Sequence, residues 1–456
     1  MAVPASVMMH MTDNVHRTLV VGLGKTGLSV VRYLSIRGIE VAVVDSREQP
    51  PGLADLRASL PADVALFLGG FDEAAFARAG QLVVSPGVSV HEPPIAAAAA
   101  RGVPVIGDIE LFAREATAPV IAITGSNGKS TVTMLVSAMA QRAGRDVRTG
   151  GNIGTPALDL LQDGEPDLYV LELSSFQLET TRSLQAAAAV VLNISADHMD
   201  RYPHLDAYTR AKQTIYRGAG VQVVNADDPL VSGLADPQQP CITYTTRAPV
   251  DDTGFGVIEY RGAPWVARGS QPMMPVAEIR MAGRHNVSNA LAALALGSAA
   301  GLEQQAMVAT LAEFQGLPHR MQPVAECDGV HWFNDSKGTN VGATLAAIGS
   351  VEGRVVLIAG GDAKGGDLTP LRHAMQRHGR AAVLIGRDAP RLEQVLQGVV
   401  PLVMASDMTQ AVQLAGDLAR AGDSVVLSPA CASTDMFRNF EERGEVFSQA
   451  VRALLS

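Results

Sequence analysis

A glycine turn between an apolar run and a helical segment constrains the fold of this chain more than any other feature. Residues 120–133 read V-I-A-I-T-G-S-N-G-K-S-T-V-T, so a buried strand leads into a turn that contains Gly125 and Gly128. Glycines let backbone N–H groups approach a polyanion, and the N-terminus of the following helix adds positive potential. Lys129 would reach the β- and γ-phosphates, and the Ser130 hydroxyl would bind Mg²⁺. The segment therefore predicts a nucleoside triphosphate site in an α/β domain.

The spacing of this turn distinguishes it from common phosphate loops. Its pattern, G-x-x-G-K-S-T, has two residues fewer between the glycines than the general P-loop. The departure separates the chain from ordinary GTPases and kinases. An ordinary glycine-rich turn would explain the glycines but not the Lys-Ser-Thr set at its exit.

Length and composition restrict the class of protein. A chain of 456 residues with 47% hydrophobic residues favours about three globular domains. The net charge of −10 argues against a broad nucleic-acid surface. Three distant cysteines form neither a disulfide framework nor a zinc pattern, which favours a reducing, cytoplasmic location. No apolar run reaches the ~18 residues that a membrane span needs, and we expect a monomer.

The order of apolar runs predicts an α/β protein of three domains. Residues 1–108 contain a strand, a glycine turn, a helix and a second strand, which is typical of a Rossmann-like domain. Residues 109–316 contain the P-loop-type mononucleotide-binding unit, with a small antiparallel addition between residues 241 and 281. Residues 317–456 again alternate strands and helices and predict a second Rossmann-like sheet, and Gly-Leu-Pro at 316–318 is the expected hinge.

The first glycine set is a weaker signal. G22-L-G-K-T-G27, with Asp45 at the end of the next strand, matches the dinucleotide-binding fingerprint. The alternatives are a tight turn without a ligand and a nicotinamide cofactor. The triphosphate loop disfavours the second alternative, because a dehydrogenase has no use for it. A nucleotide-linked substrate in the first domain, with a nucleoside triphosphate in the second, would use both loops.

Three residues after the P-loop are candidates for metal chemistry. Glu172 ends a strand at the edge where open α/β sheets bind ligands, and its carboxylate can bind Mg²⁺ directly. His198 follows the strand V-V-L-N-I, and it is a metal ligand, an acid/base group or a loop histidine without a chemical role. Lys212 lies at helical spacing from Tyr208 and Tyr216.

Two interpretations of Lys212 remain open. Its stem lies on the core with the ammonium reaching water, or it is a desolvated lysine of lowered pKa. A neutral amine of the second kind can react with CO₂ to give a carbamate, which is an anionic metal ligand.

Two polar loops follow strands of the third domain. They read N-D-S-K-G-T-N at 334–340 and A-G-G-D-A-K-G-G-D at 359–367, and their acids, lysines and small residues suit ribose, phosphate or a carboxylate. Solvated turns are the alternative. The segment S428-P-A-C-A-S-T-D-M-F-R-N-F440 ends the last strand with hydroxyls and an aromatic ring, and Cys431 within it is interpreted as a packing residue.

These motifs together resemble the Mur ligase family nearly from end to end. The segments that show this resemblance are T-G-S-N-G-K-S-T, E-L-S-S-F-Q-L-E, D-H-M-D-R-Y, H-N-x-x-N-A-L-A-A, L-P-H-R, N-D-S-K-x-T-N, G-G-D-x-K-G and S-P-A-C-A-S. The second and last of them resemble the D-glutamate-adding members more than their siblings. The resemblance implies a uridine-diphosphate-binding domain, a central ATPase domain, and a third domain that closes the site and binds the amino acid.

The resemblance also implies roles for individual residues. The residues expected to hold the UDP-linked substrate are Gly24, Lys25, Thr26, Asp45, Ser46, Arg47, Ser85, Gly87 and Asn152. Those expected to bind ATP are Gly125, Ser126, Asn127, Gly128, Lys129, Ser130, Thr131, Asn286, Asn289, Arg320, Asp335 and Lys337. The expected catalytic set is Lys129, Glu172, His198 and Lys212, and two Mg²⁺ ions would be held by Ser130, Glu172, His198 and Lys212 as a carbamate. The D-glutamate pocket would contain Thr339, Lys364, Ser433, Thr434 and Phe440. Serine at 46 and glycine at 338 depart from the usual threonine and alanine.

The implied reaction is the ATP-dependent addition of D-glutamate to UDP-N-acetylmuramoyl-L-alanine through an acyl phosphate, in peptidoglycan synthesis. A sibling ligase for another amino acid, including L-glutamate, is the first alternative. A nicotinamide oxidoreductase and a nucleotide-dependent switch protein without ligase turnover are the others.

Overall fold

The computed structural model describes residues 17–59, 64–162, 164–281 and 283–455. It confirms the α/β class, with three sheets in chain order. The N-terminal segment of the sequence lies outside the described residues. No helix among the described residues is long and apolar enough to cross a membrane.

The first sheet has five parallel strands in the order β3-β2-β1-β4-β5. Its strands are β1 Arg17–Val21, β2 Val41–Asp45, β3 Ala65–Leu68, β4 Ala79–Val84 and β5 Val105–Ile106. Its helices are α1 Lys25–Ile36, α2 Leu53–Ser59, α3 Glu73–Ala77, α4 Pro93–Ala100 and α5 Asp108–Glu115. Strands β1 and β2 are buried nearly throughout, as continuous apolar runs in a parallel sheet require. The strand order reverses between β1 and β4, and the loops after such strands form a crevice suited to a ligand.

The middle sheet has nine strands in the order β14-β13-β12-β11-β10-β9-β6-β8-β7. Its strands are β6 Val120–Thr124, β7 Val147–Gly151, β8 Leu168–Glu172, β9 Ala188–Val191, β10 Val221–Asn225, β11 Cys241–Tyr244, β12 Phe255–Tyr260, β13 Ala263–Arg268 and β14 Gln271–Pro275. The helices of this region are α6 Lys129–Arg142, α7 Ser175–Glu179, α8 Leu205–Gln213, α9 Pro229–Ser232, α10 Arg284–Ala299 and α11 Gln304–Glu313. Strands β12, β13 and β14 pair antiparallel, which confirms the predicted small addition.

The third sheet has six strands in the order β15-β16-β20-β17-β18-β19. Its strands are β15 Gln322–Cys327, β16 Val330–Asn334, β17 Val355–Gly360, β18 Gly379–Ile385, β19 Leu402–Met404 and β20 Ser424–Leu427. Its helices are α12 Val341–Ile348, α13 Pro370–His378, α14 Ala389–Leu396, α15 Met408–Leu418 and α16 Phe440–Leu454. Among the strand pairs described for this sheet, the β15–β16 pair is antiparallel and the others are parallel. Two apolar clusters cover its faces, so its polar loops are left at the strand ends.

Two compact units divide the chain. The first contains the described parts of residues 1–124, 145–189 and 210–222, and the second contains residues 125–144, 190–209 and the described parts of 223–456. The first unit therefore includes the whole first sheet with β6, β7 and β8. The second includes the helix that follows the P-loop and the whole third sheet.

Candidate active site

The first unit has a pocket of about 590 Å³ at the reversal of its strand order. All nine residues expected to hold the UDP-linked substrate line it, and Gly22, Gly151 and Gln177 lie beside them. Helix α1 begins after Gly24 without a side-chain cap, so its first N–H groups are available to an anion. The shape and the donors of this pocket suit a diphosphate.

Glycine is required where the first turn meets its helix. A Cβ atom on Gly27 would lie 1.9 Å from the carbonyl oxygen of Gly22, so a larger residue would break the turn. The Ser85 hydroxyl donates to the same carbonyl at 2.8 Å. This bond ties the S-P-G loop to the glycine turn and brings two distant segments to one pocket.

The Asp45 carboxylate is held by the residues around it. Its Oδ2 accepts from the backbone N–H of Leu23 at 2.7 Å, and the Arg47 guanidinium donates to both oxygens, at 2.8 and 2.7 Å. Burial acts to raise the pKa of Asp45, but the hydrogen bonds from Arg47 and Leu23 outweigh burial and the pKa is lowered. Asp45 is therefore ionised at neutral pH and can accept further hydrogen bonds.

The P-loop belongs mostly to the second unit. Gly125 has φ of +150° and Gly128 has φ of +84°, conformations that favour glycine. A Cβ atom on Gly128 would lie 2.4 Å from Oδ1 of Asn289. The Lys129 ammonium donates to the carbonyl oxygens of Gly125 and Ser126, both at 2.8 Å. The lysine thus lies over its own loop, where a phosphate can compete for it.

Asn193, which no sequence motif predicted, makes two hydrogen bonds to the backbone of the P-loop. Its Oδ1 accepts from the N–H of Asn127 at 2.8 Å, and its Nδ2 donates to the carbonyl oxygen of Asn127 at 3.0 Å. The Ser126 hydroxyl donates to the carbonyl oxygen of Ser195 at 2.9 Å. An asparagine directly after the strand V-V-L was the available signal, because such a side chain meets the loop of a neighbouring parallel strand.

A pocket of about 240 Å³ beside the P-loop contains most of the residues expected to bind ATP. Eight of the twelve line it, namely Asn127, Gly128, Thr131, Asn286, Asn289, Arg320, Asp335 and Lys337. Gly125, Ser126, Lys129 and Ser130 do not line it, although Nη2 of Arg320 donates to the Ser130 hydroxyl at 3.0 Å. His285 and Asn225 also line the pocket and were not predicted.

Two ionisable side chains in this pocket have strongly shifted pKa values. Burial raises the pKa of Asp335 to about 7, and the Ser428 hydroxyl, which donates to Oδ2 at 2.7 Å, acts against it. Burial and the nearby Arg320 cation lower the pKa of His285 to about 4, so that ring is neutral at neutral pH. The pocket therefore offers uncharged hydrogen-bonding groups to a nucleoside, together with the positive charges of Arg320 and Lys337.

A second pocket of the same unit, of about 230 Å³, includes His198, Thr339 and Lys364. Asp197 lies between two of them, with Oδ1 at 3.8 Å from the Lys364 ammonium and Oδ2 at 3.7 Å from Nε2 of His198. Burial is the main cause that lowers the pKa of His198, so its ring is neutral and able to bind a metal. His198 and Lys364 have φ of +57° and +48°, a strained conformation that is common in functional loops.

The other three residues expected around D-glutamate do not line that pocket. Ser433 is buried. The ring of Phe440 lies 3.6 Å below the Lys337 ammonium, which lines the nucleotide pocket. Thr339 and Lys364 therefore share one pocket, whereas Ser433, Phe440 and the exposed Thr434 line neither of the two pockets of this unit.

Glu172 and Lys212, in the first unit, are both 1% exposed. Oε1 of Glu172 accepts from Nδ2 of Asn152 at 2.6 Å, whereas Oε2 has no hydrogen-bond partner among the described residues. An unpartnered buried carboxylate oxygen fits a bound cation, because burying it otherwise costs free energy. Oε2 of Glu172 therefore fits the role of a Mg²⁺ ligand.

The burial of Lys212 rules out the interpretation in which its ammonium reaches water. Its Nζ donates to the Thr124 hydroxyl at 3.4 Å. Helix α8 ends at Gln213, so Tyr216 lies in the following 3₁₀ turn and not on the predicted longer helix. Ser130 and His198 belong to the other unit. Among the described residues, no cluster of three His, Cys, Asp or Glu side chains forms a ready metal site.

The three cysteines are free thiols. Cys431 is buried, and burial raises its pKa to about 12. It is therefore a packing residue and not a thiolate at neutral pH.

Comparison with known proteins extends over nearly all of this chain. Residues 16–107 match the Mur ligase MurD-like N-terminal domain, residues 123–297 the Mur ligase middle domain, and residues 319–431 the Mur ligase glutamate ligase domain. These matches are in the order that the motifs predict.

Individual relatives agree with the domain matches. The chain is 57% identical over 441 residues, 96% of its length and 97% of the relative's, to the UDP-N-acetylmuramoylalanine--D-glutamate ligase of Nitrosococcus oceani. It is 55% identical, over 96% of its length and 98% of the relative's, to the protein of the same name from Marinobacter nauticus. The crystal structure of UDP-N-acetylmuramate-alanine ligase MurC from Thermotoga maritima has the same fold, with a TM-score of 0.59, 18% identity and coverage of 96% and 99% of the two chains. The chain belongs to the Mur ligase family.

Proposed function

We propose that this chain is an ATP-dependent ligase that joins D-glutamate to UDP-N-acetylmuramoyl-L-alanine and releases ADP and phosphate in peptidoglycan precursor synthesis. The observation that carries the proposal is identity above 50%, over 96% of the chain, to relatives named for this reaction. The two separate phosphate-binding turns support it, because the reaction needs one nucleotide as an energy source and another as the carrier of the sugar.

The chemistry follows from the low reactivity of a carboxylate toward an amine. Transfer of the γ-phosphoryl group of ATP to the alanyl carboxylate gives an acyl phosphate. The amine of D-glutamate attacks the acyl carbon, and the tetrahedral intermediate releases phosphate as the amide forms. The Lys129 ammonium can leave the carbonyl oxygens of its own loop and bind the transferred group, where its charge offsets the developing negative charge.

The nucleotide is assigned to the pocket beside the P-loop. The base, the ribose and the phosphates would be contacted by Asn286, Asn289, Arg320, Asp335 and Lys337. The neutral His285 ring in the same wall adds a hydrogen-bonding group for the base. Gly125, Ser126 and Lys129, which lie outside this cavity, would hold the phosphates from the loop side.

Magnesium is assigned to Ser130, Glu172, His198 and Lys212, in two sites. Bound there, it would supply positive charge that offsets the charge of the transferring phosphoryl group. The unpartnered Oε2 of Glu172 and the neutral His198 support this assignment. Lys212 would contribute as a carbamate, because a buried ammonium would repel the ion and a carbamate would attract it.

The other substrates are assigned to the remaining pockets. The UDP group and the sugar attached to it would lie in the first-unit pocket, among the nine residues expected to hold them. Asn152, which lines this pocket, also donates a hydrogen bond to Glu172. D-Glutamate would lie beside Lys364 and Thr339, with Ser433, Thr434 and Phe440 completing its site. Residues 1–108, 109–316 and 317–456 would then serve as the UDP-binding, ATP-binding and closing domains of a cytoplasmic monomer.

Amino-acid-dependent phosphate release tests the proposal. The purified protein is given ATP, Mg²⁺ and UDP-N-acetylmuramoyl-L-alanine, together with D-glutamate, L-glutamate, L-alanine or diaminopimelate in separate reactions. We expect D-glutamate to be the one amino acid of the four that supports phosphate release. Release with L-glutamate instead would identify a sibling specificity, and release that needs no amino acid would favour a nucleotide switch.

A further inference from the structure

A buried arginine near the C-terminus bonds to two loops of the second unit. Arg443, on α16, is 1% exposed. Its Nε donates to the Ser336 hydroxyl at 3.0 Å, its Nη2 to the Ser336 carbonyl oxygen at 2.8 Å, and its Nη1 to the Cys431 carbonyl oxygen at 3.2 Å. All three acceptors are uncharged. Sequence motifs assigned no role to this residue.

The cost of this arrangement indicates that it does more than fill space. Burial lowers the pKa of Arg443 to about 10, although the nearby Cys431, Asp435 and Asp335 act to raise it, so the side chain is still a cation at neutral pH. A buried cation that bonds to neutral acceptors is less favourable than an apolar side chain of similar volume. The rigid fork of a guanidinium, however, fixes the relative position of the groups that accept from it.

The loop of Ser336 lines both pockets of the second unit, because Thr339 on it lines the pocket of Lys364, whereas the loop of Cys431 lines the pocket of Lys364. Ser336 stands between Asp335 and Lys337, which line the nucleotide pocket. Cys431 follows Ala430, which lines the pocket of Lys364. The guanidinium therefore lies one residue away from the walls of both pockets and fixes the spacing between them.

The next residue makes a second connection of the same kind. The carbonyl oxygen of Gly444 accepts from Nδ2 of Asn334 at 2.8 Å. A Cβ atom on Gly444 would lie 2.2 Å from Nδ1 of His319, the neighbour of Arg320 in the nucleotide pocket. Helix α16 thus lies close to Asn334 and His319, and this close approach requires glycine at position 444.

We infer that Arg443 is a positioning residue that sets the distance between the ATP-binding and D-glutamate-binding loops of the second unit. It touches neither substrate and acts through Ser336 and Cys431. The inference rests on the proposed function for the identity of the two ligands.

The test compares Arg443→Met, which removes the charge and the donors at similar length, with Arg443→Lys, which keeps the charge without the fork. Arg452→Met is the matched control, because Arg452 is exposed on the same helix. The measurements are the dissociation constant of ADP by titration calorimetry and the KM values for ATP, D-glutamate and UDP-N-acetylmuramoyl-L-alanine. Thermal unfolding shows which variants are folded.

We expect Arg443→Met to raise the ADP dissociation constant and the KM values of ATP and D-glutamate by about tenfold, because the two loops lose the three hydrogen bonds that fix their positions. The KM of the UDP-linked substrate should not change, because its pocket belongs to the first unit. Arg443→Lys should be intermediate, and Arg452→Met should match the wild type. A fall in kcat with unchanged KM values and ADP binding would overturn the inference, and so would an equal rise for all three substrates.

Two further measurements keep the test decisive. If Arg443→Met does not fold, Ser336→Ala replaces it, and we expect the same selective rise, although a smaller one, because this change removes the hydroxyl that accepts from Nε of Arg443. Normal KM values in Ser336→Ala and in Arg443→Lys would then overturn the inference. If the wild type released no phosphate with D-glutamate, the proposed function would fail, and ADP binding by the same variants would still test the positioning role.

Discussion

Replacement of Asp335 by asparagine should stabilise the protein at alkaline pH and leave little gain at acidic pH. The Asp335 carboxylate is buried, and burial raises its pKa to about 7 despite the Ser428 hydroxyl, the Arg320 cation and the N–H of Met321. The folded protein therefore binds this proton more tightly than the unfolded chain. Ionisation of Asp335 in the folded protein lowers the free energy of unfolding. This loss of stability is absent below pH 4, grows between pH 4 and 7 and is complete above pH 7.

The magnitude follows from the two pKa values. The difference between the ordinary 3.8 and about 7 corresponds to roughly 4 kcal/mol in the free energy of unfolding. Asparagine keeps an acceptor for the N–H of Met321, and its NH₂ group can donate to Ser428 once that hydroxyl turns toward Thr344, which lies 3.1 Å away. With a loss of about 1 kcal/mol for the weaker bonds, the net gain at pH 8 should be about 3 kcal/mol.

Chemical unfolding of the wild type and of Asp335→Asn at pH 5 and pH 8 measures this difference. The advantage of the variant should grow by about 2 to 3 kcal/mol between the two pH values, together with weaker binding of ATP. Asp417→Asn is the control, because Asp417 is an exposed helix residue. If the variant were more stable than the wild type by the same amount at pH 5 and pH 8, the pKa of Asp335 would not be raised by burial. A buried carboxylate with a raised pKa lowers the free energy of unfolding much more when it is ionised than when it is protonated.

Three other substitutions test separate parts of the site. Gly128→Ala should weaken ATP binding by at least tenfold in calorimetry, since the methyl group meets Asn289 and the left-handed backbone costs about 1 kcal/mol; unchanged affinity would show that the loop tolerates the side chain. Asp45→Ala should raise the KM of the UDP-linked substrate and leave that of ATP unchanged, and an equal effect on both KM values would contradict the assignment of the first-unit pocket. Lys212→Ala should abolish phosphate release, and short carboxylic acids such as acetate should restore part of it. No restoration by the acids in a folded variant would count against the carbamate.

The fold could be predicted because its signals are local. Continuous apolar runs such as V-A-V-V-D, each followed by a glycine or polar turn, are typical of parallel strands buried on both faces, and the sheets have this form. The helical spacing that placed Tyr216 on one helix with Lys212 was misleading, because the 3₁₀ turn after Gln213 continues nearly the same spacing of apolar residues. Periodicity cannot separate the two kinds of helix over one turn.

Residues that belong to motifs could be brought to one pocket from the sequence. The nine residues expected to hold the UDP-linked substrate come from two glycine turns, a strand end and an asparagine, the resemblance identified each of them, and all nine line the first-unit pocket. Asn193, His285 and Arg443 were missed because their roles depend on contacts with residues far along the chain. The burial of Lys212 could not be decided either, since an apolar stripe is equally compatible with a side chain that reaches water.

The fate of one oxygen atom shows whether ATP activates the alanyl carboxylate. UDP-N-acetylmuramoyl-L-alanine is labelled with ¹⁸O in its alanyl carboxylate and converted with ATP and D-glutamate, and the released phosphate is examined by mass spectrometry. Activation of the carboxylate by ATP predicts that each phosphate carries one labelled oxygen from the substrate. Unlabelled phosphate, released while the amide product forms, would contradict the account.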